Sequence, residues 1–278
     1  MTKHMFTLLG AFALAAFTSG CHPSAPPGAS MTPVSAKAAP NELSPAERAA
    51  GWRLLFDGRT LAGWRGLGLT GPPPGHWTVQ DGAIMKIAAK DVALQSNGQR
   101  LPGGDLITTD TFRNFEFAWD WKMSPAGNSG VKYNVSEQLS LAGGRTAATL
   151  SPSTSQGRAA LGFEYQMIDD DRHSDGKLPT HRSGALYDLI TPNENKHLNA
   201  VGEWNHSVII FNGNHGEHWL NGLKVVEYEL GSSSMNAALA ASKYKVIPGF
   251  ATRRETPIVL QDHTEEVYFR SIKIRELP

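Results

Sequence analysis

The chain has 278 residues, with 26 Lys and Arg balanced by 26 Asp and Glu, 40% hydrophobic residues, 28 Gly, 17 Pro and a single Cys. Balanced charge without a Lys/Arg-rich run gives nothing to hold a phosphate backbone, so nucleic acid is excluded as an expected partner, and one cysteine excludes an internal disulfide framework or a Cys-rich metal site. The length suits one large domain with accessories, and a charged fraction of only 19% with abundant turn formers points to a strand-rich fold rather than a coiled coil or disorder.

Residues 1–21 read as an address. Thr2-Lys3-His4 is a short basic start, Met5 to Phe17 is an apolar stretch too short to cross a bilayer comfortably as a helix, and Thr18-Ser19-Gly20 sets small residues before Cys21. The last four resemble the lipobox of bacterial lipoproteins, with Thr18 in place of the more usual Leu. Cys21 is therefore the expected lipidation site and mature N-terminus, the alternative being an ordinary cleaved signal with a cysteine nearby. On the lipoprotein reading the protein is exported and anchored to a membrane, in the periplasm or at the cell surface. Residues 22–44 are mostly Pro, Ala, Ser and Gly and cannot bury enough surface to offset their ordering entropy, so a flexible linker is expected there and the folded domain over 45–278. Ser44, Pro45 and Glu47 have the spacing of a capped helix start, and Gly51 can end it.

Beyond Gly51 apolar residues recur with period two or in short β-rich runs. The expected strands are 53–56, 77–80, 83–87, 105–108, 115–123, 130–134, 162–168, 185–189, 204–211, 216–220, 223–229, 258–261 and 267–276. Asn212-Gly213 and Asn221-Gly222 predict tight hairpins. Residues 237–243 suit one helical turn, and 143–158 reads as an irregular insertion at a loop tip. So many strands cannot share one open sheet without curling, so the prediction is an all-β sandwich of two packed antiparallel sheets.

Alternation over 162–168 puts Phe163, Tyr165 and Met167 on the core face and Glu164 with Gln166 on the outer one, directly before Asp169, Asp170, Asp171, His173 and Asp175. Polar outer faces and acidic turns are ordinary surface features, but His181, Arg182 and Tyr187 follow closely, and Gln261 and His263 share a parity later in the chain. His218 lies between alternating neighbours that do not say which side faces the core, so a structural and a functional histidine are equally compatible with it. An isolated Lys132 suits an exposed face, and the seven Trp suit core packing or stacking on sugar rings. No G-x-S-x-G elbow, phosphate-cradling Gly-rich loop or H-E-x-x-H helix is present, which removes support for serine hydrolase, NTPase and zincin chemistry.

Taken together the motifs resemble the 3-keto-disaccharide hydrolase domain family from Gly51 to the C-terminus. They are Gly51-Trp52-Arg53-Leu54-Leu55-Phe56-Asp57-Gly58 followed by Gly63-Trp64, then Asn128-Ser129-Gly130-Val131-Lys132-Tyr133, and Glu164-Tyr165-Gln166 with Asp169-Asp170 and His173. Gly184-Ala185-Leu186-Tyr187-Asp188, Gly202-Glu203-Trp204-Asn205, His218-Trp219-Leu220-Asn221-Gly222 and Leu260-Gln261-Asp262-His263 leading into Val267-Tyr268-Phe269-Arg270 complete the set. Asn134, Thr264 and Ser271 depart from the usual Arg, Gly and Asn at their positions. The resemblance implies a concanavalin A-like jelly roll whose concave sheet face binds carbohydrate, in an exported enzyme acting on glycosides oxidised at C3.

A C3 carbonyl acidifies the C2 proton, so a base can form an enolate that expels the C1 substituent, and water addition then gives a free 3-keto sugar. Such chemistry needs a base near C2 and cationic or hydrogen-bonding groups near O3, unlike glycoside hydrolysis through two flanking carboxylates. With that substrate implied, His218 or His263 is the expected base with Glu164 as competitor, and Lys132 and Arg182 are the expected enolate stabilisers. Gln166, Tyr187, Gln261 and Asp169 are expected to orient hydroxyls, and Asp169, Asp170 and His173 are an alternative divalent-cation set. A non-catalytic carbohydrate-binding module on the same sandwich is the competing function, and a glycoside hydrolase for unoxidised glycans ranks third.

Overall fold

The computed structural model describes residues 38–142 and 159–278; the signal-like segment with Cys21, residues 22–37 of the expected linker and the 143–158 insertion lie outside the described residues. The expected helix start is realised in α1 (Pro45–Ala49), where Ser44 and Glu47 form a reciprocal capping box that satisfies two backbone N–H groups. Among the described residues no helix is long and apolar enough to cross a membrane.

Thirteen strands follow among the described residues: β1 (Arg53–Leu54), β2 (Trp64–Gly66), β3 (Trp77–Gln80), β4 (Ala83–Lys86), β5 (Leu106–Thr108), β6 (Phe115–Met123), β7 (Asn128–Tyr133), β8 (Phe163–Ile168), β9 (Asn205–Asn212), β10 (His215–Leu220), β11 (Leu223–Glu229), β12 (Val259–Leu260) and β13 (Val267–Glu276). They build two antiparallel sheets, one ordered β11-β10-β9-β6-β13-β4-β3 with β1 joined to β13, the other β2-β5-β12-β7-β8. The predicted all-β jelly-roll sandwich is thus the observed fold. Strand parity explains why it closes: Phe115, Phe117, Trp119, Trp121 and Met123 of β6 face Val131 and Tyr133 of β7 and Phe163, Tyr165 and Met167 of β8 in one core cluster. Trp119 meets Tyr165 edge-on at 4.9 Å between ring centroids, a geometry worth about 1 kcal/mol beyond area burial. Trp64, Trp77, Trp119 and Trp121 are all buried in this core, so packing claims most of the tryptophans.

Three local expectations shift. Residues 185–189 are not a strand: Tyr187 N–H donates to Glu164 O and Gln166 N–H to Ala185 O, but Asp188 turns the chain back at φ 61°, leaving only isolated bridges at Leu186. After the short α2 (Glu137–Ala142), the helix expected at 237–243 starts earlier, as α3 (Ser233–Ala241) capped by Ser232, and 243–246 is a 3-10 turn. Asn221 and Gly222 take the predicted positive φ values of 48° and 84°, whereas the β9–β10 pairing of Asn212 with His215 moves the first hairpin turn onto Gly213 and Asn214.

Candidate active site

On the outer face of the five-stranded sheet, antiparallel register sets Lys132 of β7 opposite Glu164 of β8 and Gly130 opposite Gln166. Outer sheet faces are solvated by default, yet Lys132 is 4% exposed, Glu164 6% and Gln166 1%. The chain after β8 and the turn after α3 bring Tyr187, Lys243 and Tyr244 into electrostatic contact with Glu164 and cover it. The polar face is therefore a covered polar cluster rather than a solvated surface.

Gly130 explains the glycine of its motif. A Cβ there would lie 2.6 Å from Glu164 Oε1, so only a hydrogen leaves room for the carboxylate. With its amide oriented to satisfy both ends, Gln166 donates to Glu164 Oε1 at 3.1 Å and to Ser129 O at 3.0 Å. Burial raises the Glu164 carboxyl above the ordinary carboxylate range, against the opposing pull of the Lys132 and Lys243 ammoniums.

Lys132, expected to be solvated, is instead committed. Its Nζ donates to Asp105 Oδ2 at 3.1 Å and stands 3.8 Å from Glu164 Oε2. Burial would lower its proton affinity, but Asp105 and then Glu164 override that and hold it protonated. Asp105, a residue sequence reasoning missed, also accepts from the Ala160 and Asp262 backbone N–H groups.

The stretch after β12 alternates as predicted. Asp262 points into the fold, paired with Lys86 at 3.1 Å and His76 at 3.1 Å and accepting from Gly104 N–H. That anchor leaves Gln261 and His263 on the opposite parity: Gln261 N–H donates to Gly130 O, and its Oε1 is buried with no partner among the described residues. His263 packs edge-on against His173 at 5.8 Å and faces Glu265 at 3.8 Å. Glu265 continues the 261, 263 parity, the signal by which it could have been found.

The donor atoms of His173, His263 and Glu265 lie within 4.8 Å of one another, the only such grouping near Glu164 among the described residues. A cation there needs a lone pair from each. His173 Nδ1 already accepts the Asp175 backbone N–H at 3.1 Å, which places the ring proton on Nε2 and makes that nitrogen a donor. As arranged, the trio is a hydrogen-bonding group rather than a complete ligand set. Burial, with His263 next, holds the His173 pKa below its ordinary value, consistent with a neutral ring.

Four expectations are corrected. His218 lies in the sandwich interior, 0% exposed, with Nδ1 against Gly184 O at 3.0 Å and Nε2 against the Tyr133 hydroxyl at 2.9 Å. It cannot meet a substrate. Arg182 is exposed, and its Nε is spent on Gly176 O at 2.8 Å. Asp169 uses its carboxylate on the N–H groups of Ala126, Asp171 and Arg172, so it holds a loop rather than a hydroxyl or a cation. Asp170 accepts from Ser183 N–H and pairs with Lys196, which removes it from the metal set too.

Tyr187, expected to orient a sugar hydroxyl, lies in electrostatic contact with Glu164. Its hydroxyl donates to Asp175 Oδ2 at 3.2 Å and its ring lies 4.2 Å from that of His181, which also meets Asp188 at 3.1 Å. Burial, then the Glu164 charge, raises the phenol pKa, so the hydroxyl stays protonated. Lys243, a third residue missed from sequence, sits with Nζ 4.2 Å from the Tyr187 ring centroid. Nothing local marks it, because it merely follows the Ser242 cap of a short turn.

The chain matches the 3-keto-alpha-glucoside-1,2-lyase-like domain family over residues 51–275. A Bacteroides thetaiotaomicron protein named 3-keto-disaccharide hydrolase is 33% identical over 248 residues, covering 82% of this chain and 79% of its own. A crystal structure from Parabacteroides distasonis, provisionally named a glycosyl hydrolase, superposes with TM-score 0.69 at 30% identity over 86% of this chain and 100% of that one. A second from the same organism, similarly named, gives TM-score 0.54 at 24% identity over 81% and 99%, a likeness of fold.

Proposed function

This chain belongs to the 3-keto-alpha-glucoside-1,2-lyase-like domain family, and from that premise we propose that it cleaves 3-keto-glycosides, 3-keto-disaccharides among them, by elimination followed by hydration. One observation carries the reading: a buried carboxylate, Glu164, with raised proton affinity in a polar cluster that includes two lysines. A carboxylate whose proton affinity is raised by burial is a stronger base toward a carbon-bound proton. Glu164 removes the C2 proton, and the C–H electrons form the C2=C3 bond while the C3 carbonyl becomes an enolate. Collapse of the enolate restores the carbonyl, forms C1=C2 and expels the C1 oxygen with its aglycone. His263, beside Glu265, protonates that leaving oxygen and then takes a proton from the water that adds at C1. The proton returned to C2 completes the 3-keto sugar, and no oxidant or reductant is consumed.

The test is turnover of a 3-keto-glucoside in deuterium oxide. Aglycone release with deuterium at C2 of the sugar, and no cleavage of the unoxidised glycoside, is the expected result. Release without deuterium would sink the elimination step, and binding without turnover would leave a sugar-recognition module. Full activity after exhaustive chelation is expected, given the occupied His173 Nδ1. Gly130→Ala supplies a variant away from the reacting groups: the added methyl must displace the Glu164 carboxylate, and a misplacement near 1 Å lowers kcat/KM by about 100-fold. The melting temperature should fall only modestly beside that loss of activity, because the clash is with one side chain, Glu164 from Cγ outward, and not with backbone.

We further propose export and anchoring through Cys21, on the lipobox-like Thr18-Ser19-Gly20-Cys21. Labelled palmitate should enter the wild-type protein and not Cys21→Ala; equal labelling of both would refute the anchor.

A further inference from the structure

Most cations around Glu164 are already committed to an acceptor. Lys132 is bonded to Asp105, Lys86 to Asp262 and Lys196 to Asp170, and Arg182 donates to Gly176 O. Lys243 differs. Among the described residues its Nζ has neither a hydrogen-bond acceptor nor an ion-pair partner, and its contacts are the faces of Tyr187 at 4.2 Å and Tyr244 at 5.3 Å.

The side chain is nevertheless held in place. Asp188 Oδ2 accepts the Lys243 backbone N–H at 2.8 Å, Ser242 Oγ caps the turn by accepting from Tyr244 N–H, and Tyr187 is pinned through its hydroxyl to Asp175. A half-buried ammonium on aromatic faces keeps some stabilisation through the ring quadrupoles, but its N–H donors still lack an acceptor and its solvation is incomplete. An arrangement of this kind is complete only when an oxygen enters. Its ring contact Tyr187 is bonded through its own backbone N–H to Glu164 O, which ties the ammonium's platform to the strand that carries the base.

We propose that Lys243 Nζ donates to the C3 oxygen of the bound keto sugar and carries its charge as the enolate forms. The inference rests on the elimination reading above and moves the role of oxyanion partner from Lys132 and Arg182 to a residue already free to take it. The atoms balance as before: the proton passes from C2 to Glu164, and Lys243 keeps all its protons while its hydrogen bond shortens onto a charged oxygen. A preorganised donor of this kind acts on the transition state much more than on the ground state.

The experiment measures C2 hydrogen–deuterium exchange, aglycone release and the equilibrium affinity for 3-keto-glucose in wild type, Lys243→Met and Lys243→Gln, with melting temperature as the control on folding. Both variants are expected to slow exchange and release together by roughly 100- to 1000-fold, with affinity for 3-keto-glucose changed far less. Lys243→Gln, which keeps an N–H donor without the charge, should recover part of the rate. Exchange at the wild-type rate in either variant, or loss confined to affinity, would overturn the assignment. If the wild type releases aglycone without exchanging C2, the elimination reading fails by itself, before any variant is compared.

Discussion

Replacing Glu164 by Gln is expected to reduce kcat/KM on a 3-keto-glucoside by at least about 1000-fold, at the strong end of what one general base contributes. Gln is isosteric and can keep the Gln166 contact, so the pocket should persist while the base is lost. The pH dependence gives a second check. A base acts only when ionised, and burial raises the folded Glu164 pKa above its ordinary 4.5. Activity should therefore fall on the acid side at a pH higher than an exposed glutamate would give. The stability sign is opposite to the catalytic one: a carboxyl with a raised folded pKa favours folding below its unfolded pKa, and that contribution is lost as pH rises through the folded pKa. Glu164→Gln removes this loss, and Lys132 keeps Asp105 as its partner. The variant should melt at or above the wild-type temperature at neutral pH. A variant that retained a tenth of the activity would return the role of base to His263.

His218→Ala should instead cost stability, by about 3–5 kcal/mol, through a cavity in the core and a broken buried network. Its ring packs on Tyr165 at 4.7 Å and Tyr133 at 5.9 Å. Nδ1–H donates to Gly184 O, Nε2 accepts from the Tyr133 hydroxyl, and that hydroxyl in turn meets Tyr228 at 2.8 Å. Removing the imidazole leaves buried oxygens without partners. A loss of that size lowers the melting temperature by roughly 10 °C in a domain this large. Burial drives the folded His218 pKa from 6.5 to about 4 although the Gly184 carbonyl opposes it. The sign follows from where the proton prefers to sit. Above the unfolded value both states are neutral, and as pH falls from 6.5 toward 4 the unfolded chain takes up the proton first, which costs the fold about 3 kcal/mol. His218→Gln cannot titrate, so denaturant melts of the two proteins should converge across that window. A stability difference flat from pH 7 to 4 would contradict a neutral buried imidazole, and an Ala variant with wild-type stability but no activity would restore the catalytic role.

Alternation by itself determined a good deal about this protein. Period two over β6, β8, β9 and β13 required two faces, Asn221-Gly222 required its hairpin, and the parity of Glu164 and Gln166 required them to share the outer side of one strand. Those facts are local, fixed by the pleat and by which residues tolerate a positive φ. Tertiary structure decided whether a polar outer face meets water or a covering loop, and here Lys132, Glu164 and Gln166 are covered. It also decided parity where neighbours disagreed: β10 buries Gly216, His218 and Leu220 and turns Trp219 outward, so the histidine went to the core. Lys132 found Asp105 and Glu164 found Lys243 across separations in sequence that only sheet order and loop path can close. A lysine paired inside the protein and one left for substrate look alike in sequence, because the difference lies in which distant carboxylate the fold brings within reach.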